Sequence, residues 1–110
     1  MQIGELTKSE KVVLVGMARH LVMLDGEMSD SELFEIIRIG IEIGREDFES
    51  ALEATEEIHE DEARTLALSA DVSRADARTR ILSELHRIAS GDGVHSTEVA
   101  FLSALELRWG

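Results

Sequence analysis

Leu24-Asp25-Gly26-Glu27-Met28-Ser29-Asp30-Ser31-Glu32 is a short acidic turn between two apolar-periodic segments, and a looser copy, Gly91-Asp92-Gly93-Val94-His95-Ser96-Thr97-Glu98, follows near the C-terminus. This doubling constrains the fold more than any other feature. Glycine after aspartate suits a chain reversal that needs positive φ, so each copy reads as helix, Asp-Gly turn, helix. His20 and His86, Glu32 and Glu98, and Gly44 and Gly110 are each 66 positions apart, whereas Asp25 and Asp92 are 67 apart. The second turn is therefore one residue tighter. Two similar helical hairpins bury their stripes by packing around a pseudo-twofold axis. The expectation is an all-α bundle of about six helices forming one domain over residues 1–110.

Composition agrees. Proline is absent, aromatics are 4%, and 44% apolar with 31% charged residues is a globular mixture. At 110 residues the chain supports a single core. The N-terminus lacks a basic start followed by an apolar run, so no signal peptide is expected. The greasiest segment, Val12 to Leu24, contains Arg19 and His20 and falls short of the roughly 20 apolar residues of a membrane span. Cytoplasmic residence is the default expectation.

Lys and Arg number 11 against 23 Asp and Glu, a formal charge of −12. Such a surface repels nucleic-acid phosphates and anionic lipid and favours cations and basic protein partners. Without cysteine, disulfides and thiolate metal sites are ruled out.

Capping signals place the helices. Thr7-Lys8-Ser9-Glu10 is a capping box opening a helix from about Ser9 to Leu24. Val12, Val13, Val15, Met17, Leu21, Val22 and Leu24 cover much of its circumference, the mark of a central helix. Ser29-Asp30-Ser31-Glu32 is a second capping box, starting a helix to Ile43. Its buried stripe is expected at Leu33, Ile36, Ile37, Gly40, Ile41 and Gly44, with Gly40 permitting close helix contact and Gly44 at the C′ position. A third helix is expected from Glu46 to Ile58 on Phe48, Leu52 and Ile58. A fourth, from Asp61 to Ala70, would turn Ala63, Leu66, Ala67 and Ala70 inward. Ser73-Arg74-Ala75-Asp76 caps a fifth, to Ser90, with Ala77, Ile81, Leu82, Leu85, Ile88 and Ala89 on one face. A sixth, to Trp109, buries Phe101, Leu102, Leu105 and Trp109.

The turns admit a bland and a sharp reading. In the bland one, Asp25 and Gly26 make the reversal while Ser29 and Glu32 start the helix, with no ligand. In the sharp one, the spacing from Asp25 through Ser29 to Glu32 reproduces the later half of an EF-hand loop. Leu21 and Met23 fall where the first ligands would be, which excludes a true EF-hand. What remains is an oxygen cluster of Asp25, Glu27, Glu32, Asp92 and Glu98, with Asp30 at its edge. Carboxylates that close repel unless a cation neutralises them. Ca²⁺ or Mg²⁺ suits all-oxygen ligands; participation of His86 or His95 would favour Zn²⁺ or Mn²⁺.

The pattern Leu-Asp-Gly-Glu-Met-Ser-Asp-Ser-Glu-Leu, with Ile-Ala-Ser-Gly-Asp-Gly-Val-His-Ser-Thr-Glu-Val-Ala-Phe-Leu some sixty residues on, resembles the TerB-like domains of tellurite-resistance and related stress systems. The resemblance runs from about Ser9 to Trp109. It implies an all-helical pseudo-repeat and acidic residues suspected of holding a metal. Asp25, Glu27 and Glu32 match the family's first acidic turn, and Glu98 matches in the second. Asp92 departs from it, because one residue is missing before His95 and Gly91 can take the aspartate's place.

Other groups carry less. His20 and His86 are expected to be partly buried, packing their polar tips toward the turns. The acid-rich run from Glu53 to Glu62, containing His59, reads as a solvated helix junction. Met17, Met23 and Met28 are expected as core filler. There is no cysteine or tyrosine, no phosphate-binding glycine loop and no His-Glu-x-x-His, so catalysis has little support and the expectation is a non-enzyme. A cation-binding stress-response domain is the first functional expectation. The alternative is an acidic interaction module whose Asp-Gly turns are structural and whose surface docks a basic partner.

Overall fold

Both capping boxes form. Thr7 Oγ1 accepts the Glu10 amide at 3.2 Å and Glu10 Oε1 accepts the Thr7 amide at 2.8 Å; Ser29 and Glu32 repeat the exchange at 3.0 Å each way. The computed structural model describes residues 1–24, 26, 28–90 and 96–110. Among these it has six α-helices and no strand: α1 (Lys8–Met23), α2 (Asp30–Ile43), α3 (Arg45–Ala54), α4 (Glu62–Ala67), α5 (Ala75–Ala89) and α6 (Ser96–Trp109). Short 3₁₀ turns lie at Ile3–Glu5, Ile58–Glu60 and Leu68–Asp71. The all-α architecture is as expected, and no described helix is long and apolar enough to cross a membrane.

α1 is the axis of the molecule. Val13, Leu14, Val15, Met17, Ala18, Leu21 and Val22 are all buried, and the helix packs against α3, α5 and the irregular segments around α4. An apolar circumference has that consequence: burial on every side needs neighbours on every side.

Two ion-pair sets orient the neighbours. Arg74, at the start of α5, makes a two-point contact with Glu10 in the first turn of α1, Nε to Oε2 at 2.9 Å and Nη2 to Oε1 at 2.5 Å. The two helices therefore begin at the same end and run side by side. At 16 and 15 residues they also finish at the same end. α2 runs the other way along α5, because Glu35 meets Arg87 while Arg38, further on, meets Glu84. Burial opposes the Arg38 charge, but the hydrogen bonds it donates to Glu84 and Glu35 outweigh that and hold its pKa above the ordinary arginine value.

The buried face of α2 differs from expectation. Glu32, Ile39, Gly40 and Ile43 point inward, with Ile36 half-buried, while Leu33, Ile37 and Ile41 are exposed. The helix has more apolar positions than one stripe can hide, and contacts made elsewhere choose between faces. The pairing of Arg38 with α5 and the packing of Phe48 over Gly40 set its rotation. A Cβ at Gly40 would sit 2.9 Å from Phe48 Cε2, so glycine there permits close approach of α3. Gly44, at φ 99°, ends α2 and lets α3 start at the next residue.

Other boundaries shift for identifiable reasons. α3 stops at Ala54 rather than Ile58, where Arg19 Nη1 takes the Leu52 carbonyl at 2.8 Å, the acceptor that the Glu56 amide would need to continue the helix. Acids crowding a helix C-terminus also oppose its dipole. α4 buries Thr65 and Leu66, leaving Ala63, Ala67 and Ala70 exposed. Thr65 can go inside because its hydroxyl reaches the Ile58 and Asp61 carbonyls, and alanine methyls contribute little area to compete. α5 has no side-chain N-cap, since its N-cap residue is Arg74 and a guanidinium can only donate. Met17 is core, but Met23 and Met28 are exposed.

Candidate functional site

The geometry of α1, α2 and α5 brings the end of α1, the start of α2 and the end of α5 to one end of the bundle. The first turn follows α1 and the second follows α5, and those helices finish together. α2, leaving the first turn, runs antiparallel to α5. With Glu35 beside Arg87 and Arg38 beside Glu84, continuing that register sets Glu32 level with the last residues of α5. α6 starts at the same end: Phe101, in its second turn, packs on His20, in the last turn of α1, with ring centroids 4.9 Å apart.

Of the five candidate ligands, Glu32 and Glu98 are described. Asp25, Glu27 and Asp92 lie outside the described residues, as does His95. Glu32 is the third residue of α2 and Glu98 the third residue of α6. Each is only 2% exposed, unusual for glutamate at the first turn of a helix. The capping box explains half of Glu32: Oε1 accepts the Ser29 amide. Its Oε2 is buried and has no hydrogen-bond partner among the described residues. A desolvated carboxylate oxygen without a donor is costly, and such atoms call for an explanation. Among the described residues no group of three or more His, Asp or Glu side chains is placed to hold a metal ion. Any complete ligand set must therefore draw on Asp25, Glu27 or the second turn.

Burial agrees at several positions 66 apart. Leu33 and Val99 are 46% and 47% exposed, Ile41 and Leu107 are 76% and 83%, and Ile39 and Leu105 are buried. The histidines break the match. His20 is buried and its Nδ1–H donates to the His59 carbonyl at 2.7 Å, sideways rather than toward the turn. His86 is exposed, with Nε2 2.8 Å from a Glu106 carboxylate oxygen. His59, expected in solvent, is buried with Nδ1–H donating to the Thr55 carbonyl at 2.9 Å. A carbonyl can only accept, which fixes Nδ1 as the protonated nitrogen in His20 and His59.

Sequence reasoning missed the outward face of α2. Phe34, Ile37 and Ile41 recur at helical spacing and are 66%, 52% and 76% exposed. The signal was present, since apolar residues at 33, 34, 36, 37, 39, 41 and 43 cannot all share one face.

Fold and site together define an acidic all-α bundle with two buried glutamates in the first turns of α2 and α6. Comparison with protein-family models, curated proteins and solved structures found no match.

Proposed function

We propose that this chain is a non-catalytic, TerB-like cytoplasmic domain that binds a divalent cation at the end of the bundle where α1 and α5 finish. Glu32 and Glu98 would be the buried ligands, with Asp25, Glu27 and Asp92 supplying the remaining oxygens. The observation that carries this reading is the buried Oε2 of Glu32, which has no donor among the described residues and stands at the start of a helix entered through an acidic turn. A cation would neutralise that charge and lift the repulsion among neighbouring carboxylates. An all-oxygen set selects a hard ion, Ca²⁺ or Mg²⁺, over Zn²⁺ or Mn²⁺.

A role in metal or tellurite stress would be indirect. Tellurite is an anion, and a surface at −12 is a poor receptor for it; nucleic acid is disfavoured for the same reason. Calorimetric titration of metal-free protein with Ca²⁺, Mg²⁺, Mn²⁺ and Zn²⁺ tests the reading. Saturable heat with Ca²⁺ or Mg²⁺, lost in Glu32→Gln, supports it. No heat with any of the four ends it.

A further inference from the structure

The outward face of α2 carries an apolar stripe that the fold leaves uncovered. Phe34, Ile37 and Ile41 project from its centre and Leu33 flanks them. From Phe34 to Ile41 the stripe runs about 10 Å along the helix axis, two turns. Single exposed apolar residues are ordinary; a contiguous row of large ones on one helix face marks a contact surface.

Its electrostatic setting selects the occupant. α2 carries Asp30, Glu32, Glu35 and Glu42 against one basic residue, Arg38. Arg38 is occupied by Glu35 at 2.8 Å, Glu42 at 2.5 Å and Glu84 at 2.5 Å. Asp30 and Glu42, both exposed, bracket the stripe at its two ends. A second copy of this chain fits poorly, because it would bring together two molecules that each carry −12. Anionic membrane is repelled by the same field.

We propose that the exposed face of α2 docks a basic amphipathic helix of another protein, with apolar residues at i, i+3 or i+4 and i+7 over Phe34, Ile37 and Ile41, and Lys or Arg at its ends against Asp30 and Glu42. The mode is helix-on-helix recognition with charge setting orientation and apolar area setting affinity. It is independent of the cation site, and the test is run in chelator.

The probe is a fluorescent leucine–lysine peptide of about 18 residues, long enough to form a helix, with leucines at that spacing, beside a scrambled peptide of equal composition. Anisotropy should show saturable binding of the patterned peptide. Ile37→Ser/Ile41→Ser should weaken it roughly tenfold or more with the thermal midpoint unchanged, and Glu42→Lys should weaken it and flatten its salt dependence. Equal binding of the scrambled peptide, equal binding by the double variant, or no binding overturns the proposal. So does a dimer in sedimentation equilibrium that Ile41→Ser dissolves, which would make the occupant a second copy.

Discussion

Arg74 and Glu10 are 64 positions apart and share a two-point ion pair, at 2.9 Å and 2.5 Å, that aligns the starts of α5 and α1. The consequence lies at the far end. Because the helices start together and have nearly equal length, α1 and α5 also finish at one end of the bundle.

That pair makes a pH prediction. The Arg74 hydrogen bond, with help from the Thr7 amide and the Arg74 charge, holds the Glu10 carboxyl down to about 2. A depressed folded-state pKa contributes stability above the unfolded value of 4.5 and loses it as pH falls from there through about 2. Arg74 is partly exposed, so screening reduces the effect. Arg74→Ala should cost about 1 kcal/mol at neutral pH and almost nothing near pH 2. Urea midpoints of wild type and variant across that range check it; a gap that persists at low pH would disprove the assignment.

Gly40 and Phe48 should couple. A methyl at Gly40 gains about 0.5–1 kcal/mol of helix propensity but meets three Phe48 ring atoms at 2.9–3.2 Å. Gly40→Ala should be net destabilising by about 1–2 kcal/mol, the range for overpacking. In a Phe48→Leu background the penalty should shrink or reverse. A double-mutant cycle by chemical denaturation measures this, and strict additivity would mean the ring moves aside freely.

The two faces of α2 should respond oppositely to substitution. Ile39 is 1% exposed and Ile41 is 76% exposed. Ile39→Ala should cost about 2–4 kcal/mol, whereas Ile41→Ser should stay within about 0.5 kcal/mol. Thermal unfolding followed through Trp109 reports both. Comparable losses would mean that the face turned outward is buried in solution.

Glu32 separates capping from cation binding. Glutamine retains an oxygen for the Ser29 amide but cannot balance a cation charge. Glu32→Gln should fold with near-normal stability in chelator yet lose the rise in thermal midpoint that millimolar Ca²⁺ or Mg²⁺ gives wild type. At free cation 100-fold above the dissociation constant, that rise corresponds to about 2.7 kcal/mol. Differential scanning fluorimetry with and without cation decides; equal responses would remove Glu32 from the ligand set.

The helical framework was legible in the sequence because its signals are local. A capping box needs four residues, as at Thr7–Glu10 and Ser29–Glu32, and a central helix announces itself by apolar residues all round, as α1 does. Glu32 and Glu98 could be singled out from spacing alone. Their burial could not, since it depends on which helices lie over them.

Tertiary contacts decided the rest. α2 had two faces apolar enough to bury, and Arg38 reaching Glu84 together with Phe48 seating on Gly40 selected Ile39 and Ile43 over Ile37 and Ile41. The parallel course of α1 and α5 depends on Glu10 meeting Arg74, far apart in the chain, and that course puts the last residues of both helices at one end. Propensity and capping act within a turn or two of helix, so the sequence determined the helices and where the acids fall on them. Rotation, direction and burial are set by packing between distant segments, and only the folded molecule assigns which glutamates are shut away from water and which isoleucines face it.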